Sequence, residues 1–247
     1  MRKHLVLTIV TSAAVLTTGV ALAATKVKVS ASLKPNTPHK GVTVKVSAGP
    51  FAPAHTLPSA LTLTLAKGFS TSSSGGVANS VGTLCTSAAE TNDTCPASSE
   101  VGTGDLTFTP NPALFGATGA IPMGITFYLG QPRKSGCVAT VDAVYEVTRG
   151  VSDELVNLPT QSAVGDLCPN AGGLKLSFAA LPTYGALIPS SSTIDVSKLT
   201  LSLGASSGGH NLVKDPSTCP ATKKWAGAMY VTAGTSTHLA LKFACKR

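Results

Sequence analysis

The fold class is decided by residues 137–148, whose sequence is CVATVDAVYEVT. Apolar residues occupy every second position of this stretch, and the polar residues Thr140, Asp142 and Glu146 lie between them. A period of two is that of a β-strand, because successive side chains of a strand point to opposite faces. One apolar and one polar face per strand is typical of antiparallel sheets that contact water on one side. This stretch therefore predicts a half-buried strand.

The same alternation recurs along the chain, and the gaps between the alternating stretches are rich in Gly and Pro. Further stretches of this kind lie at 26–33, 42–46, 61–65, 123–129, 174–178, 199–203 and 239–245. Ile194 and Val196 are out of phase with Leu199, which predicts a bulge or break near Ser197. About ten short strands with such turns predict an all-β protein. Because the loops are long and uneven, we expect an antiparallel β-sandwich.

The N-terminus has the layout of a cleavable signal peptide. The basic pair Arg2-Lys3 precedes an apolar segment that ends in a small-residue processing site, Ala21-Leu22-Ala23. An uncleaved anchor is the alternative, because an apolar segment of about 20 residues could span a bilayer. The Thr and Ser residues inside the segment favour cleavage.

We therefore expect a signal peptide at 1–23 and a mature chain at 24–247. The mature chain is long enough for one large β-domain or for two small ones. We predict a single domain, with a subdivision near 131–136 as the alternative. The expected product is secreted and extracellular, without a transmembrane anchor after processing.

The six cysteines all follow the predicted signal peptide. No Cys-x-x-Cys pair occurs, and no histidine stands two to five residues from a cysteine, so the spacing does not fit zinc. Disulfides are typical of exported proteins. Six cysteines allow fifteen pairings, among which we favour pairing in sequence order. The predicted bridges are Cys85–Cys95, Cys137–Cys168 and Cys219–Cys245.

The sequence predicts no catalytic residues and no metal or other cofactor. Residues 204–208 match the Gly-x-Ser-x-Gly pattern in letters, but no helix pattern follows the serine as that motif requires. Asp142 and Glu146 share a strand face, roughly 13 Å apart by strand rise. That separation exceeds the value of about 6.5–9.5 Å found in inverting glycosidases. We expect both carboxylates to be solvated.

Trp225 is the one tryptophan of the chain and is preceded by Lys223 and Lys224. A tryptophan flanked by lysines could form a platform for a sugar or an anionic polymer. More often such a residue covers the end of a β-core. Packing is the interpretation that we favour.

Positive charge is concentrated near the N-terminus. Six lysines occur between residue 26 and Glu90, the first acidic residue, whereas basic and acidic residues balance after it. Lys26, Lys28 and Lys45 are expected on the polar faces of the first two strands. They predict a cationic face for an anionic cell-wall polymer or lipid surface. The alternative is that these lysines only keep an edge strand soluble. Nucleic acid is not an expected partner, because interleaved aromatics are lacking.

A second run of sequence carries a resemblance to known proteins. Residues 95–104 read CPASSEVGTG, and Gly68-Phe69 and Cys85 precede them. A closing pattern follows at Pro216, Cys219, Trp225, Tyr230 and Cys245. Over about 61–245 the chain resembles a group of secreted, β-rich proteins of high-GC Gram-positive bacteria (actinobacteria). The resemblance implies an exported β-protein with disulfides, and it brings no activity.

Two classes of function remain. The first is a non-catalytic extracellular or cell-envelope protein that binds a surface polymer, a lipid or another protein. The second is a secreted hydrolase of unusual architecture. The sequence favours the first class, because no set of nucleophile, base or metal ligands is visible in it.

Overall fold

The computed structural model describes residues 27–35, 41–51, 57–71, 81–111, 119–147, 160–184, 193–204 and 211–246. The predicted signal peptide and Lys26 lie outside these ranges. Within them the chain forms one short α-helix, a 3₁₀ turn at Ala97–Ser99 and thirteen strands. The helix is α1 (Ser87–Thr91). The strands are β1 (Lys28–Lys34), β2 (Gly41–Gly49), β3 (Ala60–Leu65), β4 (Ser70–Thr71), β5 (Glu100–Asn111), β6 (Ile121–Gly130), β7 (Ala139–Val147), β8 (Gln161–Asn170), β9 (Gly173–Phe178), β10 (Thr193–Leu203), β11 (Val213–Lys214), β12 (Lys224–Ala233) and β13 (Thr235–Ala244).

These strands pair antiparallel and form one continuous hydrogen-bonded sheet. Its order is β13-β12-β3-β9-β8-β7-β6-β5-β10-β2-β11-β4, and β1 pairs with the other side of β2. The predicted all-β, antiparallel fold is confirmed. The described residues hold thirteen strands, more than the roughly ten expected, partly because β4 and β11 have two residues each and leave no periodic signal. The arrangement as a sandwich stays a prediction.

The two outer strands of this sheet approach each other. β1 is hydrogen-bonded to β2 and β13 to β12, and β1 also contacts β13. The paired strands β1-β2-β10-β5-β6-β7-β8-β9-β3-β12-β13 form one run, from which β11 and β4 branch at β2. Because β1 and β13 stand at opposite ends of this run, their contact requires the sheet to curve round. The first and last described strands of the chain are therefore neighbours in space.

A single apolar cluster fills the inside of the curved sheet. Alternate residues of the strands point into it, as the sequence pattern predicts, and Leu241 and Phe243 of β13 are 2% and 0% exposed. Leu129 and Val141, on either side of 131–136, belong to the same cluster. β6 and β7, which carry them, are hydrogen-bonded neighbours.

The predicted irregularity near Ser197 is confirmed. Val196 pairs with Phe108 and Lys198 with Thr107, so the register of β10 against β5 shifts by one residue at Ser197. The extra residue is a β-bulge, which returns Leu199 to the inner face.

Three disulfides tie loops to the sheet, in the pairs predicted from sequence order. Cys85–Cys95 closes the loop that carries α1. Cys137–Cys168 joins the segment before β7 to β8, and Cys219–Cys245 joins the segment before β12 to the residue after β13. Each bridge should contribute roughly 2–4 kcal/mol to stability.

The segment 81–99 covers the outer face of β7. Glu90 of α1 reaches this face, where Thr140 Oγ1 donates a hydrogen bond of 2.7 Å to its Oε1. Thr140 and Asp142 are consequently 0% exposed. The expectation that Asp142 is solvated is therefore wrong, whereas Glu146, further along the strand, is exposed as expected.

Gly130 makes room for this covering segment, and its replacement tests the contact. An added Cβ at Gly130 would overlap Oε1 of Glu90 and Oγ1 of Thr140. We predict that Gly130→Ala lowers the free energy of unfolding by about 2 kcal/mol or more, because a buried hydrogen-bonded pair is displaced. Urea unfolding followed by circular dichroism measures this change.

The matched control is Gly119→Ala, because an added Cβ there has no neighbour within 4 Å. Its free energy of unfolding should change by less than about 0.5 kcal/mol. Equal stability of both variants would show that 81–99 does not pack on β7 as described.

Candidate functional site

The predicted binding residues Lys28 and Lys45 lie on the outer face of the sheet. Lys28 pairs with Gly49, and Lys45 pairs with Ser32, so both side chains share one face of the β1–β2 pair. Both lysines are exposed. Four residues of strand separate the two positions, which is roughly 13 Å.

The fold brings an acidic residue to this face from a distant part of the sequence. Asp105 of β5 pairs with Thr200 of β10, which in turn pairs with Ser47 of β2. Thr200 Oγ1 donates a hydrogen bond of 2.9 Å to Asp105 Oδ2. A shallow groove of about 400 Å³ runs here and is lined by Lys45 and Asp105 among others. The β1–β2 face is therefore less uniformly cationic than the sequence implies.

Lysines from the C-terminal part of the chain join those of the N-terminal part. β12 and β13 carry Lys224 and Lys242, both exposed, and β13 contacts β1. The five strands β1, β2, β3, β12 and β13 contain no Asp or Glu. These lysines do not stand out in the sequence, because acids elsewhere in 90–247 cancel their charge in a count along the chain.

The densest group of lysines lies at one end of the sheet, where β1, β3 and β13 end and β2 and β12 begin. Antiparallel pairing sets these positions, since Leu65 pairs with Gly227 and Lys224 with Ala244. Lys214 of β11 pairs with Gly41 and Ser70, which brings β4 to the same place. We call this surface the lysine end, and it comprises Lys34, Lys67, Lys214, Lys223, Lys224 and Lys246.

The lysine end has a strong excess of positive charge. Lys214 is half-buried and the other five lysines are exposed. Between 211 and 226, and in the turn 66–69, the single acidic residue is Asp215, which is 2% exposed. Ammonium groups that are exposed and unshielded by nearby exposed carboxylates produce a positive potential that attracts anions.

Trp225 packs in the core, which agrees with the interpretation favoured from the sequence. Its side chain is 5% exposed and meets the ring of Phe69 edge to face, with ring centroids 6.0 Å apart. Its Nε1–H donates a hydrogen bond of 3.0 Å to the carbonyl oxygen of Thr218. The indole therefore packs under the lysine end and holds the preceding loop.

A second cluster of charged groups lies between 81–99 and the sheet, where Glu90 and Asp142 are buried and Arg133 is exposed. Arg133 forms an ion pair with Glu90 and also donates a hydrogen bond of 3.2 Å to the carbonyl oxygen of Ser87. Glu90 is 1% exposed, and Thr140 occupies its other oxygen. Because a buried carboxylate requires partners for its charge, these contacts allow α1 to lie against the sheet.

Asp142 is the least satisfied member of this cluster. Its Oδ1 has no hydrogen-bond partner among the described residues, and its Oδ2 lies 3.5 Å from Cys95 Sγ. A disulfide sulfur carries no hydrogen, so this contact is a hydrogen bond only when Asp142 holds a proton. Burial, followed by repulsion from Glu90 and Asp93, raises the pKa of Asp142 to about 7. Arg133 and a hydrogen bond with Ser162 act in the opposite direction.

The described geometry does not equip this cluster for catalysis. Glu90 and Asp142 are 1% and 0% exposed, so a substrate would not reach them. Elsewhere, burial raises the pKa of Tyr184 to about 12, which leaves it protonated at neutral pH. In the described part of the chain, His, Cys, Asp and Glu do not form a group of three or more that could hold a metal ion.

The raised pKa of Asp142 predicts that the protein becomes less stable as the pH rises. Its pKa is raised in the folded state from an ordinary value of 3.8 to about 7. The folded state therefore binds more protons between these values, and stability falls as the pH rises through this window. From pH 5 to pH 8 we expect the wild type to lose about 2 kcal/mol relative to Asp142→Asn, which stays neutral.

Urea unfolding at pH 5 and pH 8 with the disulfides intact measures this difference. Glu146→Gln, which removes an exposed acid from the same strand, is the control and should follow the wild type. An Asp142→Asn variant with the pH dependence of the wild type would contradict the buried, protonated carboxyl.

The described ranges contain no apolar helix with the length needed to span a bilayer.

The chain was compared with known proteins. No match to it was found among protein-family models, curated proteins or solved structures.

Proposed function

We propose that this protein is a secreted, non-catalytic binding protein of the extracellular space or cell envelope. Its ligand is an anionic surface polymer, which is held by the lysine end. The observation that carries the proposal is the convergence of six lysines from both halves of the sequence on one end of the sheet, in described segments whose single acid, Asp215, is buried. Lys28 and Lys45 extend this surface along β1 and β2 as peripheral contacts.

Export is supported by the signal-peptide pattern at 1–23 and by the three disulfides. Disulfides persist in oxidising compartments and are rare in the cytosol. The resemblance to secreted actinobacterial proteins points in the same direction. A polymer of the cell surface is therefore a ligand that the protein would meet.

A polymer suits the lysine end better than a flat lipid surface does. Exposed aromatic or apolar anchors would be expected beside the lysines of a membrane-binding face. Among the described residues, the large hydrophobic side chains with notable exposure are Val29 and Tyr230. Neither stands at the lysine end. Tyr230 pairs with Thr62, in the middle of β12, and Val29 pairs with Ala48, near the opposite end of β1.

Two triple variants of equal charge test the proposal with the mature chain. The first, Lys34→Gln with Lys223→Gln and Lys246→Gln, removes three charges from the lysine end. The second, Lys26→Gln with Lys28→Gln and Lys45→Gln, removes two charges from the β1–β2 face together with that of Lys26, which lies outside the described residues, and is the matched control. Binding to isolated cell wall at 50 mM salt should fall more than about tenfold in the first variant, since each lysine near an anionic surface contributes about 1 kcal/mol. The second variant should lose only about two- to threefold.

Binding of the wild type should also weaken between 50 and 300 mM salt, as the screening length falls from about 14 to about 6 Å. A larger loss in the β1–β2 variant would move the site to that face and overturn the assignment. Binding that survives both variants and high salt would show that the lysines serve solubility alone. Preferential binding to anionic vesicles over cell wall would replace the polymer with a lipid surface.

A further inference from the structure

The lysine end contains a groove of about 410 Å³. Its wall is formed by Lys67, Gly68, Ser70, Lys214, Asp215, Pro216, Ser217, Thr218, Pro220 and Trp225. We call it the Trp225 groove. Small-molecule sites have volumes of about 300–1,000 Å³, so the groove has room for a single sugar-sized unit rather than for water alone.

The walls of the Trp225 groove are fixed by contacts that exist without a ligand. The hydrogen bond from Trp225 to Thr218 and the Cys219–Cys245 disulfide hold the 216–220 loop against β12 and β13. On the other side, the Gly68 N–H donates a hydrogen bond of 2.8 Å to the carbonyl oxygen of Gly172. A preformed site binds more tightly because less conformational freedom is lost on binding.

The two walls meet closely at Gly68. This residue has a φ of +100°, a backbone conformation that favours glycine. A Cβ at this position would lie 2.8 Å from Cβ of Pro216. The turn 66–69 and the 215–218 segment are therefore in contact at this point of the groove.

The groove offers chemistry for an anion that carries hydroxyl groups. Lys67 and Lys214 supply two ammonium groups, Ser70, Ser217 and Thr218 supply hydroxyls, and Asp215 adds one carboxyl group that is 2% exposed. A phosphate monoester carries about −1.5 to −2 charges at neutral pH, which the two ammonium groups attract. Hydroxyl side chains both donate and accept hydrogen bonds and so suit the hydroxyls of a sugar or polyol.

We propose that the Trp225 groove binds a phosphate monoester of a sugar or polyol. This inference rests on the proposed function, since it names the unit of the anionic polymer that enters the lysine end. The terminal phosphate lies between Lys67 and Lys214, and the adjoining polyol lies along the serine and threonine hydroxyls. The remaining lysines of the surface contact the rest of the polymer.

The single tryptophan of the chain gives a direct readout, because Trp225 forms part of the groove wall. The mature protein is titrated with glucose 6-phosphate and with glycerol 3-phosphate, and tryptophan fluorescence is followed. Isothermal calorimetry repeats the titration, so that binding is detected even if the buried indole does not respond. Glucose, inorganic phosphate and potassium chloride at matched ionic strength are the control ligands.

We expect both phosphate esters to bind saturably and glucose not to bind. Lys67→Gln and Lys214→Gln should each raise the Kd at least about tenfold, as expected for loss of a charge-assisted hydrogen bond. Lys198→Gln, which removes an exposed lysine of β10 outside the groove, is the matched single-charge control and should leave the Kd unchanged. The Lys26, Lys28 and Lys45 triple variant should also bind normally.

Three results would overturn the inference. The first is binding of glucose as tight as that of the esters, and the second is a loss in Lys198→Gln as large as in Lys67→Gln. The third is the absence of saturable binding by either method up to about 10 mM, well above the usual range for small ligands. If inorganic phosphate binds as tightly as the esters, the groove recognises phosphate alone. That result would contradict the role proposed for the serine and threonine hydroxyls. In each of these cases, cell-wall binding is measured separately in the Lys34, Lys223 and Lys246 triple variant. If that variant still loses binding, the proposed function stands and only the inference about the Trp225 groove fails.

Discussion

The contact between β1 and β13 is the constraint on which the rest of the structure depends. These strands stand at opposite ends of the run of paired strands from β1 through β2 and β10 to β13, and their approach makes the sheet curve round one apolar core. An open sheet of this length would expose a long apolar face and two unpaired edges, both of which favour aggregation. The same contact unites the lysines of the N-terminal and C-terminal strands, so the surface proposed for binding is a product of the way the sheet curves.

A second consequence of the topology is that the first half of β7 is buried on both faces. Its inner face meets the core, and its outer face lies beneath the segment closed by Cys85–Cys95. Burial of a polar face needs partners for its charges. Glu90 has them in Arg133 and Thr140, whereas Asp142 stays neutral to near pH 7. The disulfide and this polar cluster therefore stabilise one another, and we assign both to stability rather than to chemistry.

Much of the fold could be predicted from the sequence, because each strand repeats a local pattern. The alternation at 61–65 and 199–203 and the phase break at Ser197 are visible in single stretches of sequence and appear in the structure. The strand β5 was missed, since Gly102 and Gly104 occupy two of its inner positions and weaken the apolar pattern. Sequential pairing of the cysteines agrees with the structure because each pair closes a local loop or hairpin.

The candidate site could be predicted only in part, because a binding surface is assembled in space. Lys28 and Lys45 were recognised from their own strands, and both are exposed as expected. Asp105 reaches the same face through pairing between strands far apart in sequence, and Lys223 and Lys246 join Lys34 through the contact between β1 and β13. The burial of Asp142 likewise depends on the segment 81–99, which precedes it by some forty residues in the chain. Nothing in the sequence of this segment indicates that it packs on β7.

The most direct test of polymer binding at the lysine end is amide hydrogen–deuterium exchange of the mature protein with and without polyglycerol phosphate. If the polymer lies on the lysine end, exchange should slow in the turn 66–71, in 211–226 and in 244–246, and should stay unchanged in β5 to β8. Slowing confined to β5 to β8, or to the β1–β2 face alone, would contradict the assignment. So would bound polymer that leaves the exchange of every segment of the lysine end unchanged.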